Sequence, residues 1–377
     1  MSSHKGEKID GHFEVSAAST REQEPLDNYP APRLKPETYP GDYPSEWDGY
    51  IVTSNEVIRL RYSDDESLPS ITPTFRPVIK ADDKEAPLDD YLASYGLSPL
   101  EERFPIVTYG SNRNPGQLIS KFTSKDLKDK PKLQFVPVFR ATLHGVDVVY
   151  NAAPGNLGYF FAELYEGPET QDTEVEAAIL LLTWDQLKAL HATEKAYEFG
   201  DLTTLKPRLG ATTDNPNQGI EVPGYVYSGP TSIYGISGND GRPAPVAVAE
   251  VQATGRGLTA KGQIEMQQLF FANDPRGAKR QALIDVSGDT SIESSPNNFM
   301  KYMKMGRAGG VSTLKERKAF QEQLKKAMAA DEQIAIDLRQ NHGFDRLSER
   351  LPTLFTMAQI AIASPRGQGW WHKVPKE

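Results

Sequence analysis

Hydrophobic and polar positions fall into three regimes along the chain. Residues 1–50 follow neither the helical nor the strand period: they are polar, broken by Pro30, Pro32, Pro36, Pro40 and Pro44, and interleaved with Tyr29, Tyr39, Tyr43, Trp47 and Tyr50. Such a stretch buries too little apolar surface to offset the entropy of ordering. It predicts a flexible arm whose aromatics lie across its own body or a partner subunit, with an unbound linker as the plain alternative. From residue 51 to about 260, short β-favouring runs alternate with turns. IVTSNEVIRLRY (51–62) reads as strand, and PLDDYLASYG (87–96) as a short helix with Pro87 near its start and Gly96 past its end. Beyond residue 260 the pattern turns helical in LTAKGQIEMQQLFF, NNFMKYMKM, TLKERKAFQEQLKKAMAADEQIAIDLRQ and FDRLSERLPTLFTMAQIAIA, before a Gly-rich tail with Trp370 and Trp371.

Within the middle regime, FPIVTYGSN (104–112) predicts a buried strand opening into a tight polar loop, followed by a short helix over NPGQLISKF. LQFVPVFRATLHGVDVVY (133–150) supplies one or two strands, and GYFFAELYEG, GYVYSG and PVAVAEV supply further strand candidates. EVEAAILLLT (174–183) is an almost unbroken apolar run between polar residues. That suits a central strand buried on both faces, although a buried helix segment has the same pattern.

TWDQLKALHATEKAY (183–197) is the clearest helix, with Thr183 as N-cap, Gln186 completing a capping box and Asp185 in the first turn. Leu187 and Leu190 mark its inward stripe, and steps of three and four residues lead on to His191 and Glu194. A carboxylate therefore falls on or beside the face that meets the core. The plain alternative is a frayed helix end with Glu194 in water.

These elements predict an α+β protein in four parts: an arm over 1–50, a peripheral layer over 51–103, a body over 104–260 and a helical extension over 261–377. Net charge is −9, from 42 basic and 51 acidic residues. Residues 1–100 hold 10 Lys and Arg against 19 Asp and Glu, whereas the rest of the chain holds 32 of each, so the acidity belongs to the N-terminal region. This balance argues against nucleic acid as a partner. The chain has no cysteine, which excludes disulfides, thiolate metal sites and a Cys nucleophile. No stretch nears the roughly 20 apolar residues of a membrane helix. The start, MSSHKGEKIDGH, lacks an apolar signal core, so a cytoplasmic protein without membrane association is expected. His4, His12, His144, His191, His342 and His372 form no H-x-x-x-H pair, and no metal or cofactor is expected. GRAGGVST (306–313) lacks the Gly-Lys-Ser/Thr ending of a phosphate loop and reads as a flexible connection.

Three small residues in a row, Gly110, Ser111 and Asn112, let backbone N–H groups converge on a carboxylate, a phosphate or an oxyanion; taken alone they equally suit an ordinary turn. Together with their surroundings they resemble the γ-glutamylcyclotransferase-like family. Tyr109, Gly110, Ser111 and Asn112 are similar to the family's YGSN loop after its first strand. VFRATLHGVDVVY (138–150) is similar to the segment that returns past the site. AAILLLTWDQLKALHATE is similar to the family's strand and helix ending in L-D-x-x-E, with His191 standing where the motif has Asp.

The resemblance implies a mixed β-barrel with flanking helices. It also implies cyclisation of a γ-glutamyl compound to 5-oxoproline, releasing an amine or amino acid without metal or cofactor. Glu194 would be the catalytic acid/base, Tyr109, Gly110, Ser111 and Asn112 would bind substrate, and Tyr197 would match the Tyr that follows the Glu. The alternative is a non-catalytic structural or interaction protein that reuses the fold. The arm or the tryptophan tail is a candidate for homo-oligomer contacts.

Overall fold

A computed structural model describes residues 23–32, 38–63, 76–81, 84–123, 134–154, 159–194, 197–202, 207–210, 219–222, 224–228, 235–237 and 243–272. In chain order the first strands are β1 (Gln23–Pro25), β2 (Gly49–Val52), β3 (Glu56–Tyr62), β4 (Pro77–Ala81), β5 (Lys84–Pro87) and β6 (Phe104–Thr108). They are followed by β7 (Val136–His144), β8 (Asp147–Pro154), β9 (Phe160–Tyr165), β10 (Glu174–Leu182), β11 (Glu198–Asp201), β12 (Arg208–Leu209) and β13 (Ile220–Glu221). The remaining short strands are β14 (Tyr225–Ser228), β15 (Gly235–Ser237), β16 (Pro243–Pro245), β17 (Ala247–Val248), β18 (Ala253–Thr254) and β19 (Ala260–Lys261). The helices are α1 (Leu88–Ser94), α2 (Pro115–Phe122), α3 (Trp184–His191) and α4 (Gln263–Ala272).

The fold is mixed α+β. Its largest sheet runs β11-β14-β6-β10-β7-β2-β3-β4-β5, with β1, β12, β13 and β18 joined at the sides. Pairing along this path is antiparallel except where β14 lies parallel to β6. A second sheet has the order β19-β17-β8-β9, and β15 with β16 forms a separate ladder. Among the described residues no ladder closes these sheets, so the barrel implied by the family resemblance is not found. Closure would need the two edge strands of one sheet to pair, and here β11 and β5 end the path without pairing to each other.

The central position of β10 follows from its sequence. All nine residues of Glu174–Leu182 are buried, and the strand pairs with β6 on one side and β7 on the other. Val175, Ala177, Ile179 and Leu181 share a core with Val148, Phe160 and Leu164 of the second sheet. Ala178, Leu180 and Leu182 meet Leu118 and Phe122 of α2 and Leu187 and Leu190 of α3. The nearly continuous apolar run from Ala177 to Leu182 is what a strand covered on both faces requires.

The segment read as one or two strands is two, β7 and β8, joined at Gly145, whose φ of 78° lies in the left-handed region that favours glycine. At the start of the 51–103 region, β2 pairs directly with β7 and so lies in the main sheet. Over residues 23–32 and 38–50 the expected flexible arm packs on the body: β1 pairs with β3, and Tyr29, Tyr39, Trp47 and Tyr50 are buried. Its aromatics supply the apolar area that its average composition concealed. Of the expected C-terminal helices, only α4 lies within the described residues; the later ones and the tryptophan tail lie outside them. No helix among the described residues is long and apolar enough to cross a membrane.

Two-faced burial sets an expected outcome for Leu180, which is fully buried. Leu180→Ala should lower unfolding free energy by about 2–5 kcal/mol in a denaturant titration. A change below about 1 kcal/mol would be at odds with its packing against α2 and α3.

Candidate functional site

The strand β6 delivers its polar loop at the edge of a pocket of about 450 Å³. After Tyr109 and Gly110 the chain makes a 3-10 turn over Ser111–Arg113 and then enters α2. That entry is well specified: Asn114 is the N-cap, its side chain accepting the N–H of Gln117 at 2.7 Å, and Pro115 fills the first helical position. At Gly110 the Tyr39 hydroxyl comes close, 3.0 Å from where a Cβ would sit. Gly116 is more constrained, since a Cβ would meet the Tyr29 carbonyl oxygen at 2.2 Å. The N-terminal segment thus crosses the first turn of α2 at backbone contact distance.

From the other direction, α3 starts at Thr183 and Gln186, which cap each other: the Gln186 N–H donates to Thr183 Oγ1 at 3.3 Å, and the Thr183 N–H donates to Gln186 Oε1 at 2.9 Å. The helix ends at His191, short of the expected reach to 197. Thr193 is one cause: its hydroxyl takes the Leu190 carbonyl at 2.7 Å, while its own N–H also turns back to that carbonyl at 2.8 Å. Glu194 therefore lies in the turn after the helix and not on its stripe. It is nevertheless 8% exposed and faces the loop.

Glu194 and the loop meet through side chains. Asn112 Nδ2 donates to Glu194 Oε1 at 3.1 Å. Lys121, from the last turn of α2, donates to Asn112 Oδ1 at 2.6 Å and forms an ion pair with the same Glu194 oxygen. Sequence reading placed no role on Lys121. It lies in the last turn of α2, three residues after the buried Leu118 and beside the buried face of that helix. Among the described residues, no acceptor takes the N–H groups of Gly110, Ser111 or Asn112, all of which line the pocket.

All six residues expected from sequence, Tyr109, Gly110, Ser111, Asn112, Glu194 and Tyr197, line this one pocket. Tyr109 is buried and donates its hydroxyl to the Tyr227 carbonyl at 2.7 Å, with Glu163 Oε1 at 3.5 Å. Tyr197 meets Phe161 edge-on at 6.3 Å between centroids. Tyr39 was anticipated only as an arm aromatic seeking a surface. Its ring stacks on Tyr159 at 4.5 Å, and its oxygen accepts the Ala162 N–H at 3.0 Å. The His191 carbonyl accepts the Glu194 N–H at 3.2 Å, but its side chain turns elsewhere, with Nδ1 3.3 Å from the Tyr227 hydroxyl. Among the described residues no group of three or more His, Asp or Glu side chains is placed to hold a metal ion.

Burial, followed by neighbouring phenols and carboxylates that include Glu194, holds the Tyr39, Tyr109 and Tyr197 phenols above the ordinary tyrosine value. Burial and then Glu194 do the same to Tyr227. The site walls are therefore neutral hydroxyls at physiological pH, able to donate as well as accept.

Because the folded state keeps these phenols protonated where the unfolded chain would ionise them, the unfolded state binds fewer protons above about pH 10. Their contribution to stability is complete below that value and falls as pH rises further. Denaturant midpoints measured from pH 8 upward should stay flat in this respect and then drop above about pH 10, with tyrosinate absorbance appearing together with unfolding. Tyrosinate absorbance that rises to its full extent while the fold persists would contradict the burial.

No protein-family model matches the chain, and no curated protein does. Among solved structures, the chain is similar to one titled "Gamma-glutamyl cyclotransferase", at 12% identity over 59% of this chain and 99% of that one, with a TM-score of 0.26. A likeness of that degree carries no assignment by itself.

Proposed function

We propose that the chain is a γ-glutamylcyclotransferase-type enzyme, with Glu194 as general acid/base and the 109–112 loop as its substrate cradle. One observation carries the reading: the Asn112 side chain, from the loop, hydrogen-bonds the buried Glu194 carboxylate, 82 residues later, inside one pocket. The loop and the carboxylate are the two parts that the family resemblance pairs.

The reaction needs little more than those parts. Glu194 takes a proton from the α-ammonium of a bound γ-glutamyl group. The freed amine nitrogen attacks the γ-carbonyl carbon to form the ring C–N bond. The C–N bond to the leaving group then breaks as that nitrogen receives the proton back from Glu194, and the ring nitrogen gives up its second proton to the freed Glu194 carboxylate, which passes it to the released amine, leaving 5-oxoproline and the protonated amine. Both reacting groups belong to one molecule, so holding it folded supplies much of the acceleration. The N–H groups of Gly110, Ser111 and Asn112 are suited to a carboxylate or to the oxyanion that forms at the γ-carbon, and one such donor is worth about 3 kcal/mol. Tyr109 and Tyr197 wall the pocket and offer neutral hydroxyls near the substrate.

A second reading, a non-catalytic member of the fold, is favoured by a specific contact. Lys121 already holds the proposed base in an ion pair, so a substrate ammonium has to compete for it. His191 in place of the family's Asp points the same way.

A panel of γ-glutamyl amino acids and amines assayed for 5-oxoproline separates the two. Wild type should release it from at least one member, and Glu194→Gln should reduce kcat by about 10²-fold or more. Equal yields from the two proteins would remove Glu194 from the mechanism, and no product from the whole panel would leave the second reading.

A further inference from the structure

The charged groups lining the pocket among the described residues are Lys121 and Glu194, paired with each other. Their side chains are 11% and 8% exposed, so the pair is largely withdrawn from water. Neither has another ionic partner across the pocket, and Asn112 hydrogen-bonds both: its oxygen accepts from Lys121 and its nitrogen donates to Glu194. The pocket lining among the described residues thus carries one cation and one anion, with the buried Glu163 carboxylate set back behind the Tyr109 hydroxyl at 3.5 Å.

That arrangement selects its occupant by charge. A ligand carrying only a cation or only an anion could satisfy one partner, but would leave the other as a desolvated, uncompensated ion. A zwitterion whose two charges are carried on one carbon can instead open the pair, placing its carboxylate on Lys121 and its ammonium on Glu194. One internal ion pair becomes two, and no charge is stranded. Gly110, Ser111 and Asn112 line the same pocket, and among the described residues no acceptor takes their N–H groups.

We propose that Lys121 is a specificity-determining residue that binds the α-carboxylate of an α-amino-acid head group, and that this binding draws it off Glu194. The assignment rests on the cyclotransferase reading only for what lies beyond that head group, the γ-amide. It also resolves the contact that weighed against that reading. In the empty pocket Lys121 masks the proposed base, and the substrate's own carboxylate unmasks it when an ammonium is in place to be deprotonated. A compound lacking the carboxylate leaves Glu194 paired.

Calorimetric titration of the full chain with L-glutamine, its α-carboxamide and 4-carbamoylbutanoate, which lacks the amine, tests this. Wild type should bind L-glutamine about tenfold or more tightly than either analogue, the range expected for losing a charged hydrogen bond. Lys121→Met should weaken L-glutamine by about tenfold while leaving the α-carboxamide no weaker, and Lys121→Arg should keep the preference. Equal wild-type affinity for L-glutamine and its carboxamide, no binding of L-glutamine, or a preference that survives Lys121→Met would each overturn the assignment. Should Lys121→Met fail to fold, the wild-type ligand comparison decides alone. The 5-oxoproline assay is independent of this result. Carboxylate preference without 5-oxoproline would keep Lys121 as a binding residue and discard the reaction, whereas 5-oxoproline without the preference would do the reverse.

Discussion

The burial of β10 on both faces is the constraint from which the rest of the site follows. Its alternate residues face the second sheet on one side and α2 with α3 on the other. Because β6 pairs with it antiparallel, Leu182 lies opposite Phe104 and Ala178 opposite Thr108. The helix α3 therefore leaves from the end where β6 begins and must run back toward the end where β6 opens its loop. Eight helical residues advance about 12 Å, and the four-residue step along β10 from Leu182 to Ala178 covers about 13 Å. The turn carrying Glu194 is thereby delivered at the level of Ser111 and Asn112. Ending the helix at His191 serves this geometry, because a helix continued through 197 would carry Glu194 on a rotating surface past the loop.

The loop itself is held from behind by the N-terminal segment. Asn114 caps α2 with its oxygen while its nitrogen donates to the carbonyls of Asp42 at 2.6 Å and Pro30 at 3.3 Å. Beneath it, Arg113 stacks over the Tyr43 ring at 4.2 Å and lies 3.8 Å from Glu176, which is also hydrogen-bonded by Tyr43 and approached by Arg140 at 3.1 Å. Glu176 and Arg113 are fully buried. Removing one member of such a set leaves an uncompensated charge, at about 3–5 kcal/mol. A buried ionic set of this kind is weak evidence for added stability, but it fixes one arrangement of the 38–43 segment against the loop. Tyr39 enters the pocket on that segment, so the wall it forms is as well determined as the strands.

How much of this was legible in the sequence differs from residue to residue. The strand β10 declared itself through the almost unbroken apolar run of 174–183, which left a buried helix as the alternative, and the capping box of α3 through Thr183 and Gln186, because both are local patterns. The order of loop and carboxylate was legible through the family resemblance, although Glu194 reached the pocket from a turn and not from the helical stripe. Lys121 and Tyr39 carried no such signal. A lysine on the polar face of a short helix looks like any solvated lysine, and only the packing of α2 beside α3 turns it toward Glu194. Tyr39 sits in a proline-broken stretch whose average polarity predicts an arm, while its burial depends on a stacking partner, Tyr159, 120 residues away. Periodicity reports which face a residue takes, not which distant element meets that face.

The position of His191 bears on whether the proposed chemistry survives the departure from the family motif. If the motif's Asp orients the carboxylate or the loop, its loss should leave Glu194 unguided, yet here the guidance comes from elsewhere. Asn112 holds one carboxylate oxygen from the loop, Lys121 holds the same oxygen from α2, and Asn112 links the two. His191 has instead turned to the Tyr227 hydroxyl and the Phe199 ring, where a second carboxylate would stand close to Glu194 without a cation of its own. With a histidine at 191, the charged partner of Glu194 among the described residues is Lys121. A site with one anion and one cation, each nine-tenths withdrawn from water, has little use for another carboxylate until a ligand brings both charges with it.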